Sequence, residues 1–155
     1  MQNYSFNPDY LRDKYRQERD KRLREDGNDQ YQEVSGDFSY FVDDPYISEA
    51  IERQALTDSY EIVIIGGGFG GVLAASRLKE AGFSDFKIIE KGGNFGGTWY
   101  WNRYPGASCD IESYIYFPLL EETKFIPGKK YTNAPETLEY FDIISEKFGL
   151  NEHAI

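Results

Sequence analysis

One cysteine, one histidine and no apolar run approaching the ~20 residues of a bilayer span set the first limits on this 155-residue sequence. A lone Cys109 can form neither an intrachain disulfide nor a cysteine-clustered zinc site, and no metal centre is implied. Basic charge is also scarce: 17 Lys and Arg face 27 Asp and Glu, a formal charge of −10. Phosphate backbones must be met by a Lys/Arg surface, so this balance argues against a nucleic-acid partner, and it disfavours docking on an anionic membrane. The opening MQNYSFNPDYLRDKY lacks the basic-then-apolar order of a secretory leader. These absences point to a soluble cytoplasmic protein. What is abundant is glycine, with 15 residues, and aromatics, at 17%, which suggests a loop-rich binding surface.

Residues 9–26 read as a polar helix capped by Asp9 and ended by Gly27. Glu18 with Arg22 and Asp20 with Arg24 are acid-before-base pairs at i,i+4, worth about 0.2–0.5 kcal/mol each. Leu11, Tyr15 and Leu23 are its few apolar positions, so the helix is a surface arm. Residues 27–46 read as an acidic, extended connector, and Ser48 can cap a short helix reaching Leu56. Together 1–59 form an arm and connector, and 60–155 a second region of different texture.

That texture begins with Glu61–Ile65, a β-branched run without alternation, the pattern of a strand covered on both faces. A glycine turn, Gly66 to Gly71, leads into a helix over 72–81, ended by Gly82. A short strand, Phe86 to Ile89, then closes on Glu90. Strand, turn, helix and strand make a βαβ unit of Rossmann-like α/β class. Further on, Asn133, Pro135 and Glu136 mark the start of a helix with Leu138, Phe141, Ile144 and Phe148 on its apolar face, ended by Gly149.

Gly66, Gly68 and Gly71 match G-x-G-x-x-G, and each has a mechanical task. The first permits the tight turn, the second lets a pyrophosphate approach the backbone, and the third lets the helix sit close to the strand. The helix N-terminus offers unpaired N–H groups to phosphate. Glu90 follows Gly66 by 24 residues, where a carboxylate can accept from both ribose hydroxyls and would repel a 2′-phosphate. The placed strand, helix and acid make this an adenine-dinucleotide site, for FAD or NAD, rather than a connecting turn alone.

Residues 96–113, GGTWYWNRYPGASCDIES, resemble the flavin-contacting segment of Baeyer–Villiger monooxygenases. With the glycine turn, the resemblance runs from about Tyr60 to Leu150. The polar arm is similar to N-terminal extensions of members acting on bulky or large-ring ketones. The family implies that the turn, with Phe69 and Gly70, holds the FAD pyrophosphate and that Glu90 holds the adenosine ribose. It implies that Thr98, Trp99, Tyr100 and Trp101 run along the flavin side and that Tyr116 borders the cofactor. Ser108 and Cys109 would line the approach to the nicotinamide of NADPH. Asp110 would be the catalytic residue, close to both rings and orienting an arginine. Ketone and O2 are the implied substrates, and an ester or lactone the product.

Read without the family, the same residues leave alternatives open. Trp99 and Trp101 fit a packed aromatic cluster, Asp110 fits a cap for 111–116, and Arg103 fits a phosphate, a carboxylate or solvent. His153 reads as an exposed terminal residue, and Cys109 as a small buried side chain. The family also implies a completed FAD domain and an NADPH domain with its own glycine motif, neither of which follows Leu150. The expectation is therefore the N-terminal, FAD-binding part of a ketone monooxygenase, inactive alone, with most of the NADPH site elsewhere. A non-catalytic FAD-binding fragment and an N- or S-oxidising flavin enzyme stand as alternatives.

Overall fold

The computed structural model describes residues 6–49 and 52–155 and divides into two compact units, Met1–Asp43 and Asp44–Ile155. The first unit is built on helix α1, Pro8–Asp20. Asn7, not Asp9, caps it: its side-chain oxygen accepts from the N–H groups of Asp9 and Tyr10, and Pro8 occupies the first turn where no N–H is needed. No residue of α1 is buried. The helix ends at Asp20, so Arg22 and Arg24 lie past its last turn and the expected i,i+4 pairs do not form. Arg12–Asp9, Arg16–Asp13 and Lys21–Glu18 pair at i,i+3 instead. Gly27 opens a 3-10 turn, Gly27–Gln30, and a second spans Gly36–Val42.

The second unit carries the βαβ motif. Strand β1, Ile62–Ile65, leads through the glycine turn to α2, Phe69–Glu80, and on to β2, Phe86–Ile89. The strands are parallel, with Ile62 opposite Phe86 and Ile65 opposite Ile89. On the far side of β2, Ala154 bridges Ile88 in parallel. The Ile155 N–H donates to the Ile88 carbonyl at 2.8 Å and the Glu90 N–H to the Ile155 carbonyl at 3.0 Å. The spatial order is therefore β1, β2, then residues 154–155.

Burial alternates along β1, correcting the expectation of a strand covered on both faces. Ile62 and Ile64 pack on the core, whereas Val63 is 48% and Ile65 87% exposed. Among the described residues the helices cover one side of the sheet, so the period-two pleat turns every second side chain away. No helix forms over the described residues of 48–56, and residues 50 and 51 lie outside the description. Residues 52–56 bury nothing, and a helix this short has no stability without a buried face.

Four helices follow: α3, Thr98–Trp101; α4, Ser113–Tyr116; α5, Leu120–Thr123; and α6, Ala134–Phe148. Asn133 caps α6 and Gly149, at φ +62, ends it. Tyr140, Phe141 and Ile144 on α6 are fully buried, each such burial being worth about 1.5–3 kcal/mol for an apolar side chain of this size. Phe141 stacks on Phe69 at 4.2 Å between centroids, and Tyr140 on Phe117 at 5.0 Å, so α6 fixes the start of α2. His153 is buried rather than exposed. Its ring stacks on Phe86 at 4.0 Å, Nδ1 lies 3.0 Å from the Phe86 carbonyl and Nε2 lies 3.3 Å from Lys79 Nζ. The stacking on Phe86 and the two polar contacts hold the ring in place.

Candidate functional site

The glycine turn is shaped by what a side chain would strike. Gly66 has φ +98, a conformation an L side chain rarely adopts. A Cβ on Gly71 would lie 1.9 Å from the Gly66 carbonyl oxygen, so only glycine lets α2 approach β1 this closely. Gly67 is equally constrained: its Cβ would meet Phe95 Cδ1 at 2.5 Å and Glu90 Oε2 at 3.0 Å. Space over Gly68 is open apart from Gly97 Cα, 3.5 Å from a built Cβ, and over Gly70 it is open altogether. Gly68 begins α2 with no side-chain cap, so the first-turn N–H groups and the positive end of the helix face that space.

Glu90 closes the turn from the other strand. Its Oε2 accepts from the Gly67 N–H at 2.5 Å and its Oε1 from the Gly92 N–H at 2.7 Å. Each oxygen retains acceptor capacity, and the two N–H groups hold the carboxylate in one orientation. An uncapped helix end, an open glycine backbone and a fixed carboxylate fit the diphosphate and ribose of a dinucleotide. A cavity of about 390 Å³ adjoins Glu90, with Lys91, Asn94, Phe95 and Arg53 in its wall.

The loop after Glu90 returns onto the turn. The Gly96 N–H donates to the Gly67 carbonyl at 3.0 Å, and a Cβ on Gly97 would stand 2.8 Å from Gly68 Cα. Helix α3 starts from that contact. Trp99 is buried in the core and its Nε1 donates to the Tyr116 hydroxyl at 3.2 Å, while Tyr116 meets Phe69 edge-on at 5.2 Å. Phe69 thus turns its ring into the aromatic core, leaving its backbone to the turn.

Thr98, Trp99, Ser108, Cys109, Asp110 and Tyr116 line a single cavity of about 330 Å³. Tyr100 and Trp101 do not line it. Tyr100 is buried with its hydroxyl donating to Asp44 Oδ2 at 2.6 Å, and Trp101 accepts at its carbonyl from the Tyr46 hydroxyl at 3.2 Å. Asp110 is exposed, caps no helix and has no hydrogen-bond or ion-pair partner among the described residues; α4 begins after Glu112 instead. Cys109 is buried, its Sγ 3.4 Å from Thr132 Oγ1, and Thr132 in turn meets Ser113 Oγ at 2.9 Å. Arg103 stacks over Tyr46 at 4.0 Å and Tyr100 at 4.5 Å, and its Nε donates to the Tyr100 carbonyl.

Sequence reasoning passed over Phe95, Gly93 and Asp44. Burial pushes the Asp44 carboxyl upward, but hydrogen bonds from the Tyr100 hydroxyl and the Tyr46 and Gly93 N–H groups, with the nearby Arg103 charge, hold it below the usual carboxylate range. Burial, then the bond to Asp44, raises the Tyr100 hydroxyl above the ordinary tyrosine value.

A family of NAD(P)-binding Rossmann-like domains matches residues 64–126. A Baeyer–Villiger monooxygenase of Streptomyces coelicolor is 45% identical over 140 residues, which are 90% of this chain and 23% of that protein. The chain is homologous to Baeyer–Villiger monooxygenases. A polycyclic ketone monooxygenase from Thermothelomyces thermophila superposes with a TM-score of 0.75 at 40% identity, over 95% of this chain and 25% of that one. The structure of OTEMO in complex with FAD and NADP superposes with a TM-score of 0.58 at 31% identity, over 64% of this chain and 19% of its own. The chain thus spans about a quarter of the length of the Baeyer–Villiger relatives it matches. No helix among the described residues is long and apolar enough to cross a membrane.

Proposed function

We propose that this chain is the FAD-binding part of a cytoplasmic flavoprotein monooxygenase that uses NADPH and O2 to convert ketones to esters or lactones. The observation that carries this reading is Glu90, fixed by the Gly67 N–H so that a carboxylate faces the open glycine turn. FAD, when bound, supplies the redox chemistry with O2; the residues described here bind and orient it.

In this reading the backbone from Gly66 to Gly71, with Phe69 and Gly70 opening α2, receives the diphosphate. Glu90 accepts from the ribose hydroxyls, and its negative charge opposes a 2′-phosphate, directing NADPH to another site. Thr98, Trp99 and Tyr116 form the wall of the flavin side, Tyr100 and Trp101 support it from behind, and Ser108 and Cys109 border the same cavity. Asp110 offers an unpartnered carboxylate at that cavity, where it can hold a guanidinium or accept a hydrogen bond beside the reacting groups. The chain alone binds FAD and does not turn over.

The test is a titration of the purified chain with FAD, followed by flavin fluorescence. Saturable binding that Glu90→Ala weakens supports the reading; absence of binding, or binding that ignores Glu90→Ala, removes it.

A further inference from the structure

The segment that begins the second unit meets the loop after Glu90 through Asp44, Tyr46 and Ile47, and Asp44 makes most of the hydrogen bonds. Asp44 Oδ1 accepts from the Tyr46 N–H at 2.9 Å, while Oδ2 accepts from the Gly93 N–H at 2.9 Å and the Tyr100 hydroxyl at 2.6 Å. Gly93 also lies 3.0 Å from Tyr100 Oη, which closes the triangle. A Cβ on Gly93 would strike Ile47 Cγ2 at 2.2 Å, so residues 44–47 lie directly on the loop. Arg103 closes the far side by covering both Tyr46 and Tyr100.

We propose that Asp44 is a positioning residue for FAD binding: through Gly93 and Tyr100 it holds the loop 92–101 against the glycine turn. Three of the loop's anchors bear on the turn. Gly92 meets Glu90, Gly93 and Tyr100 meet Asp44, and Gly96 meets Gly67. Releasing the middle pin frees the residues that orient Glu90 and that press Gly97 on Gly68, while the core below, built on α2 and α6, stays packed. A carboxylate suits the task because all three partners donate. An amide would turn its NH2 toward the N–H of Tyr46 or of Gly93, neither of which can reverse.

This inference rests on the FAD reading above, and the experiment separates the two. FAD affinity and the thermal midpoint of the FAD-free chain are measured for the parent chain, Asp44→Asn, Tyr100→Phe and the double variant. Each single substitution weakens FAD binding roughly tenfold. The double variant binds no worse than the weaker single, because both remove the same contact. The FAD-free midpoints fall by no more than a few degrees and stay above the assay temperature, so every variant is folded when it is titrated. If the parent binds FAD but Asp44→Asn and Tyr100→Phe bind it equally well, the positioning role is wrong and the FAD reading stands. Losses that add, or that follow the unfolding midpoint, also overturn it. A parent chain that binds no FAD overturns both.

Discussion

The Gly67 N–H donates to Glu90 Oε2 at 2.5 Å, linking the turn after β1 to the end of β2 across the mouth of the sheet. The acid expected at the ribose is therefore also the brace of the turn that would carry the diphosphate. Glu90→Gln keeps the volume but replaces one acceptor with an NH2 that faces the N–H of Gly67 or Gly92. FAD binding is expected to weaken by at least tenfold, with a loss of about 1–3 kcal/mol in folding stability from the unpaired N–H. Fluorescence titration and chemical denaturation check the two effects separately.

Gly71 and Gly70 are neighbours with opposite tolerances. A Cβ on Gly71 meets the Gly66 carbonyl at 1.9 Å, and one on Gly70 meets nothing within 4 Å. Gly71→Ala should force β1 and α2 apart and cost about 1–3 kcal/mol or more. Gly70→Ala should leave the midpoint unchanged or raise it slightly, since alanine is the better helix residue. Thermal unfolding of the two variants side by side gives the comparison.

Asp44 gives stability a pH signature. Its carboxyl is held below the usual range in the folded chain, so the folded state favours the ionised form. Its contribution is complete above the unfolded value, about 3.9, and is lost as pH falls through the lower folded value. The groups facing it are the Tyr100 hydroxyl, Arg103 and the N–H groups of Tyr46 and Gly93. The difference in midpoint between the parent and Asp44→Asn should be constant from neutral pH to about pH 5 and shrink at more acid pH. A difference that grows on acidification contradicts this.

Asp110 has no partner to lose among the described residues. Asp110→Asn should leave both the thermal midpoint and FAD affinity of the chain within error of the parent. In an intact ketone-oxidising protein carrying this segment, the same change should suppress ester or lactone formation at full FAD content. Loss of FAD instead would make Asp110 a binding residue only.

The βαβ unit was legible because its signals, a β-branched run and a glycine turn, are local, and helix α6 was legible from Asn133 and Gly149 at its ends. Gathering Thr98, Trp99 and Tyr116 around one cavity was legible only through the family resemblance, since no periodicity brings residues 98 and 116 together. Asp44 was hidden because an acidic connector looks the same whether its carboxylate faces water or Gly93. His153 was misread because chain position carries no information about the stacking partner, Phe86, 67 residues away. The composition of Val63 and Ile65 is that of buried residues; their exposure follows only from how few elements are present to cover a two-stranded pair, not from the pattern of the run itself.

Where Gly97 rests on Gly68, main chain touches main chain with no side chain between. The approach of the two turns is accordingly set by peptide geometry, a ruler whose length no amino-acid exchange can trim and which a side chain on Gly97 could only lengthen.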